Sequence, residues 1–205
     1  MAKKIYLVGG RVSSGGLREI DTKALEESEN KKIFVINLTT NDQEILKEKR
    51  ERHKKYFESL GAEVTFISDL LDNPEQIKEN LNNSGLLYIS GGDTEILIKN
   101  VGEMELGPLI KNFNGIIEGN SAGAYLLCNE HVEKREAKLK PGLGLVNLRL
   151  KVHYNPELDS LLLELSKDKE IHAISENCAI VWDNKELNFI GDIYLFSNGK
   201  KEKIN

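Results

Sequence analysis

The residues Gly119-Asn120-Ser121-Ala122-Gly123 stand between an apolar run, Ile116-Ile117, and the helix-forming stretch Ala124-Tyr125-Leu126-Leu127. A serine in a G-x-S-x-G turn from strand to helix is held in a strained conformation that exposes its hydroxyl, and small flanking residues let chain and substrate approach. In that role Ser121 is a nucleophile. The amide of Ala122 then opens the following helix and can donate to an oxyanion, aided by the helix dipole. The alternative is a serine that only caps a helix, a common use of the residue; its place after a buried strand favours the nucleophile.

A serine nucleophile needs a base, and the four histidines differ in position. His53 falls in the charged stretch KEKRERHKK and is expected to be exposed. His131 lies ten residues after Ser121, on or just beyond the same helix, where a rise of about 1.5 Å per residue carries it away from the turn. His172 opens a strand and so belongs to the opposite edge of a sheet. His153 follows Leu148-Arg149-Leu150-Lys151-Val152 and precedes Tyr154-Asn155-Pro156, whose proline stops the strand, which puts it at the strand's end and makes it the best base. The carboxylate that would orient it is either Glu176, just past the strand IHAIS, or Glu136 in VEKREAK. In SGGDT, Asp93 or Thr94 caps a helix, and the amides of Gly91 and Gly92 are candidates for the second oxyanion donor. Arg149, two residues before the strand residue Lys151 and on the same period-two face as His153, is a candidate to bind an acidic substrate group; a plain surface arginine is the other reading.

These residues need a frame. Short apolar runs (KIYLVGG, KIFVINL, AEVTFIS, GLLYIS, NGIIEG) alternate with helical stretches, the last being SAGAYLLCNEHVEKRE. That alternation predicts a doubly wound α/β fold, with a mainly parallel sheet flanked by helices on both faces. After Pro141 the pattern changes to late strands with hairpins around one helix, PELDSLLLELSKD. Loops at the carboxyl ends of the strands line one edge, where such sheets bind ligands, so LVGG, ISGGD, EGNSAG and KVH share it.

The chain has 205 residues, 40% apolar and 30% charged, enough for one good core, and residues 1–205 are read as a single catalytic domain. No apolar run reaches the roughly 18 to 20 residues of a membrane span. The start MAKKIYLVGG reads as a first strand rather than an export signal. Cys128 and Cys178 lack metal-site spacing and read as buried, reduced thiols of a cytoplasmic protein. A net charge of -5 argues against nucleic acid as a partner, and the basic clusters Lys47 to Lys55 and Lys200 to Lys203 read as solvated faces. The glycine-rich stretch Val8 to Gly16 matches neither a P-loop nor G-x-G-x-x-G and is read as a mobile loop near the active edge.

SGGDTEILI, IEGNSAGAYLLC and the upstream YFESLGAEVTFI together resemble the peptidase family of aspartyl dipeptidase (peptidase E) and cyanophycinase, over nearly the whole chain. The resemblance implies a flavodoxin-like, class I glutamine amidotransferase-like fold with serine, not cysteine, at the turn. It implies Ser121 as nucleophile, His153 as base and Glu176 as the acid of a Ser-His-Glu triad, with Glu136 as alternate acid. It brings in amino-terminal Asp as a candidate preference. The crowded edge of a doubly wound sheet suits a small peptide substrate, the serine mechanism passes through an acyl-enzyme, and the sequence offers no cluster for a metal or organic cofactor. In the aspartyl dipeptidase an Asn-Pro pair precedes the histidine, whereas here Asn155-Pro156 follows it. A ligand-binding protein with an inert serine on the same fold is the rival from another class.

Overall fold

The computed structural model describes residues 4–10, 17–133, 135–183 and 186–205. Its first half alternates as the sequence predicts: β1 (Lys4–Val8), α1 (Arg18–Glu27), β2 (Lys32–Ile36), α2 (Gln43–Glu58), β3 (Glu63–Phe66), α3 (Pro74–Asn82), β4 (Leu86–Ile89), α4 (Thr94–Glu103), α5 (Gly107–Asn112), β5 (Ile116–Asn120) and α6 (Ala122–Leu127). The helix starts follow local chemistry. Asp42 accepts from the amides of Glu44 and Ile45, Asn73 from that of Gln76 just ahead of Pro74, and Asp93 from that of Ile96, so each satisfies amides that the first turn leaves open.

The second half comprises β6 (Cys128–Glu133), β7 (Lys138–Pro141), β8 (Val146–Tyr154), α7 (Asp159–Leu165), β9 (Ile171–Ser175), β10 (Ala179–Asp183), β11 (Glu186–Ile190), β12 (Ile193–Ser197) and β13 (Lys200–Lys203). The strands form two sheets. One has the order β11-β10-β1-β5-β4-β2-β3, parallel from β1 to β3 and antiparallel at β10 and β11. The other has the order β13-β12-β9-β8-β6-β7, with β8 parallel to both its neighbours.

Alternation along the first sheet sorts the core into two layers. Tyr6, Val8, Ile33, Val35, Leu86 and Tyr88 pack with α1 and with Phe57 of α2. Ile5, Leu7, Phe34, Ile36, Leu87 and Ile89 pack with α3 to α6, and this layer continues into Val146, Leu150 and Val152 of β8 and Ile174 of β9. Burial on both faces explains why these strands read as continuous apolar runs. β2 leads outward to β3 while its neighbour β4 leads back to β5, so the chain diverges between them, and their carboxyl ends border the crevice where such folds bind ligands. No helix among the described residues is long and apolar enough to cross a membrane.

Three local expectations are corrected. The helix after Ser121 ends at Leu127, and Cys128–Glu133 is a strand. The carbonyls that a continuing helix would use accept from elsewhere: Leu126 O from Leu143 N, Leu127 O from Leu145 N and Cys128 O from Gly144 N. A Cβ on Gly142 would fall 2.3 Å from Cys128 O and 2.5 Å from Tyr125 O, so only glycine allows that approach. His131 therefore sits in a strand, buried, its ring stacked on Tyr125 at 4.5 Å. Secondly, His53 is buried and meets the Tyr88 ring edge-on at 5.7 Å. It shares with Phe57 a stripe of helical spacing that the surrounding charges obscure in the sequence. Thirdly, Lys49, from the same basic cluster, is half-buried and turned toward the sheet edge, its ammonium 3.1 Å from Thr39 Oγ1.

Burial pushes the His131 imidazole down from 6.5 to about 4, with Glu133 opposing the shift and Lys140 adding to it, both to a smaller extent. The unfolded chain thus takes up a proton that the folded ring refuses. The folded state therefore carries no penalty from this ring above about pH 6.5 and is increasingly disfavoured as pH falls toward about 4. His131→Phe, which keeps the stack on Tyr125, is expected to flatten the decline of the urea midpoint between those pH values. A residual slope remains from His172, whose pKa burial also lowers.

Candidate active site

Ser121 lies between the end of β5 and the start of α6 with φ 53° and ψ -105°, a sparsely populated conformation that costs about 1–3 kcal/mol. The surroundings hold it there. Its N–H donates to Val8 O at 3.0 Å and its C=O accepts from Tyr125 N at 3.1 Å. The flanking glycines bring helix and sheet together: a Cβ on Gly119 would lie 2.6 Å from the backbone of Gly123, and one on Gly123 would lie 2.3 Å from Ile89 O. The side chain makes no helix-capping hydrogen bond. Instead Ser121 Oγ is 2.6 Å from His153 Nε2.

His153 belongs to the second sheet, not the first. Pairing between β8 and β9 slips between Lys151 and Tyr154, and His153 has φ 53°. Such a bulge re-aims a side chain. His153 N leaves the ladder and donates to Gly9 O at 2.8 Å, while His153 Nδ1 lies 2.6 Å from Glu176 Oε1, just beyond β9. Because a carboxylate only accepts, Glu176 places the proton of the neutral ring on Nδ1 and leaves the Nε2 lone pair facing Ser121. Gly9 N donates to Cys178 O and Gly10 O accepts from Asn177 N, so the loop after β1 ties together the segments that carry His153 and Glu176.

Gly10 is a residue that the sequence reading left among loop glycines. It has φ 121°, and a Cβ there would stand 2.2 Å from His153 Cε1 and 2.9 Å from Glu176 Oε2. Gly10→Ala is therefore expected to displace the imidazole and to lower turnover by about a hundredfold, the effect of a misplacement near 1 Å. Steady-state kinetics beside circular dichroism would check this. Residues 11–16, the rest of that glycine-rich stretch, lie outside the described residues.

The other candidates sort clearly. Gly91 borders the serine: a Cβ on it would be 3.3 Å from Ser121 Cβ. Among the described residues the amides of Gly91 and Gly92 donate to no protein group, and the amide of Ala122, first in α6, precedes the first intrahelical bond. Glu136 is exposed and ion-paired with Lys138 and with Lys140 at 2.8 Å, which hold its carboxyl down at about 2; it makes no contact with His153. Arg149 Nε donates to Glu130 Oε2 at 2.6 Å, and the bulge breaks the alternation expected to align Arg149 with His153. Lys151 is buried with its ammonium 3.3 Å from Tyr125 Oη. Cys128 is buried, its thiol pushed up to about 12 by that burial.

The profile of peptidase family S51 matches residues 13–190. The chain belongs to peptidase family S51. As an S51 chain it is a peptidase of the serine type. Two solved structures resemble it in fold. A peptidase from an acI-B1 Actinobacterium superposes with a TM-score of 0.77 at 20% identity, covering 98% of this chain and 93% of that one. A putative peptidase E protein from Listeria monocytogenes EGD-e superposes with a TM-score of 0.69 at 21% identity, covering 91% of this chain and 97% of that one. No curated protein matches the chain. The flavodoxin-like, amidotransferase-like architecture is thus that of peptidase E.

Proposed function

We propose that this S51 peptidase hydrolyses short peptides through a Ser121-His153-Glu176 triad and an acyl-enzyme. The observation that carries the reading is the unbroken line from Ser121 Oγ to His153 Nε2 and from His153 Nδ1 to Glu176 Oε1, 2.6 Å at each step, starting from a strained turn. His153 takes the serine proton as Oγ bonds to the scissile carbonyl carbon. The oxyanion is held by the Ala122 amide and by that of Gly91 or Gly92, donors fixed before reaction and needing no reorganisation. The imidazolium, stabilised by Glu176, returns the proton to the amine as the C–N bond breaks. Water then repeats the sequence against the acyl ester, giving up one proton to His153 and releasing the acid and Ser121.

The same reading takes all 205 residues as one catalytic domain, because one core layer joins the first sheet to β8 and β9 of the second. It places the chain in the cytoplasm, where two buried unpaired cysteines are the norm. Amine release from a panel of amino-terminal dipeptides, Asp-Leu included, tests it. Cleavage of at least one member is expected, and failure to cleave any member or longer peptide would overturn it.

A further inference from the structure

The geometry points to Thr39 and Lys49 as positioning residues that aim the Gly92 amide at the oxyanion, a role that rests on the serine-peptidase reading above. Thr39 follows β2 and is buried; its hydroxyl lies 3.2 Å from Gly91 O and 3.1 Å from the Lys49 ammonium. An ammonium has donors only, so Lys49 must donate to Thr39 Oγ1, and the single hydroxyl proton is left to go to Gly91 O. Lys49 thus sets the direction of the Thr39 hydroxyl, and Thr39 pins the carbonyl of the Gly91–Gly92 peptide.

That peptide is planar and trans, so its N–H, that of Gly92, points away from Thr39. Thr39 also holds the far end of the loop, its own C=O accepting from Asp93 N at 3.4 Å. The loop packs closely on this pair. A Cβ on Gly92, at φ 145°, would lie 2.6 Å from both Lys49 Nζ and Thr39 Oγ1. On its other flank, a Cβ on Gly91 would lie 3.3 Å from both Ser121 Cβ and Asn120 O. The Gly92 N–H meets no acceptor among the described residues, and the residue is exposed, so this donor is open to a bound group.

Lys49 has no carboxylate partner among the described residues. Burial and the charge of Arg52 lower its pKa, against the pull of Asp93. Among those residues no direct ion pair accounts for holding this half-buried cation where it stands. Its direct contact is the hydroxyl that orients the oxyanion peptide.

The test is the second-order rate at which a fluorophosphonate inactivates the wild-type protein, Thr39→Val, Thr39→Ser and Lys49→Met, across pH. Removing an oxyanion donor costs about a hundredfold to a thousandfold, and misaiming one less, so Thr39→Val is expected to slow inactivation by about ten- to a hundredfold. Lys49→Met should slow it several-fold, and Thr39→Ser, which keeps the hydroxyl, should restore the wild-type rate. The shape of the pH profile is expected to be the same in all four proteins, because the relay does not touch the base. A wild-type rate in Thr39→Val overturns the positioning role alone, whereas a wild-type protein that takes no label removes the serine-peptidase reading and this role with it. A raised KM for acidic peptides with unchanged inactivation in Lys49→Met would make Lys49 a substrate contact and overturn its positioning role.

Discussion

Ser121→Ala is expected to lower peptide turnover by about a millionfold, the loss typical of a triad serine. The loss is this large because the thiol nearest along the chain cannot replace the missing hydroxyl. Cys128 is seven positions along the chain, buried, with its thiol sulfur within reach of the carbonyls of Tyr125 and Glu130. The variant should fold about as well as the parent, since among the described residues Ser121 Oγ hydrogen-bonds to the half-exposed imidazole alone. Alanine, however, meets the same φ of 53° as serine, so the backbone strain remains and the melting temperature should change little. Measuring turnover and melting temperature together separates lost chemistry from lost structure.

Glu176→Gln comes second, with an expected fall in turnover of about ten-thousandfold. Glutamine fits the space, but its amide can donate to Nδ1 and so favours the tautomer with the proton on Nε2, which cannot accept from Ser121. It also leaves the developing imidazolium without its counter-charge. Glu136→Gln should leave turnover unchanged, because Lys138 and Lys140 already engage that carboxylate on the exposed approach to β7. Equal effects of the two variants would remove Glu176 from the account.

Much of the fold was legible because the information is local. Apolar runs bounded by turn residues marked β1 to β5, and Asp93 behind two glycines marked the start of α4. His153 could be ranked above the other histidines because Pro156 stops its strand, and Glu176 could be placed at a strand end by the apolar run before it. What was not legible depends on distant partners. CNEHVE is a strand because β7 and β8 lie beside it and because residues 143–145 take the carbonyls that end α6. The slip that turns His153 toward Ser121 exists only in the pairing of β8 with β9. Thr39 and Lys49 carry no local signature, since one looks like loop and the other like a solvated helix face until β2 and β4 are paired. His53 hides in the same way among the charges of α2.

The most direct test of the central claim, that Ser121 is an activated nucleophile, is to treat the folded protein with a fluorophosphonate and locate the adduct by peptide mapping. The account predicts one phosphonyl group, with fluoride as the leaving group, on the peptide containing Ser121, and none on Ser121→Ala. An unlabelled protein, or an adduct that persists in Ser121→Ala, would contradict it.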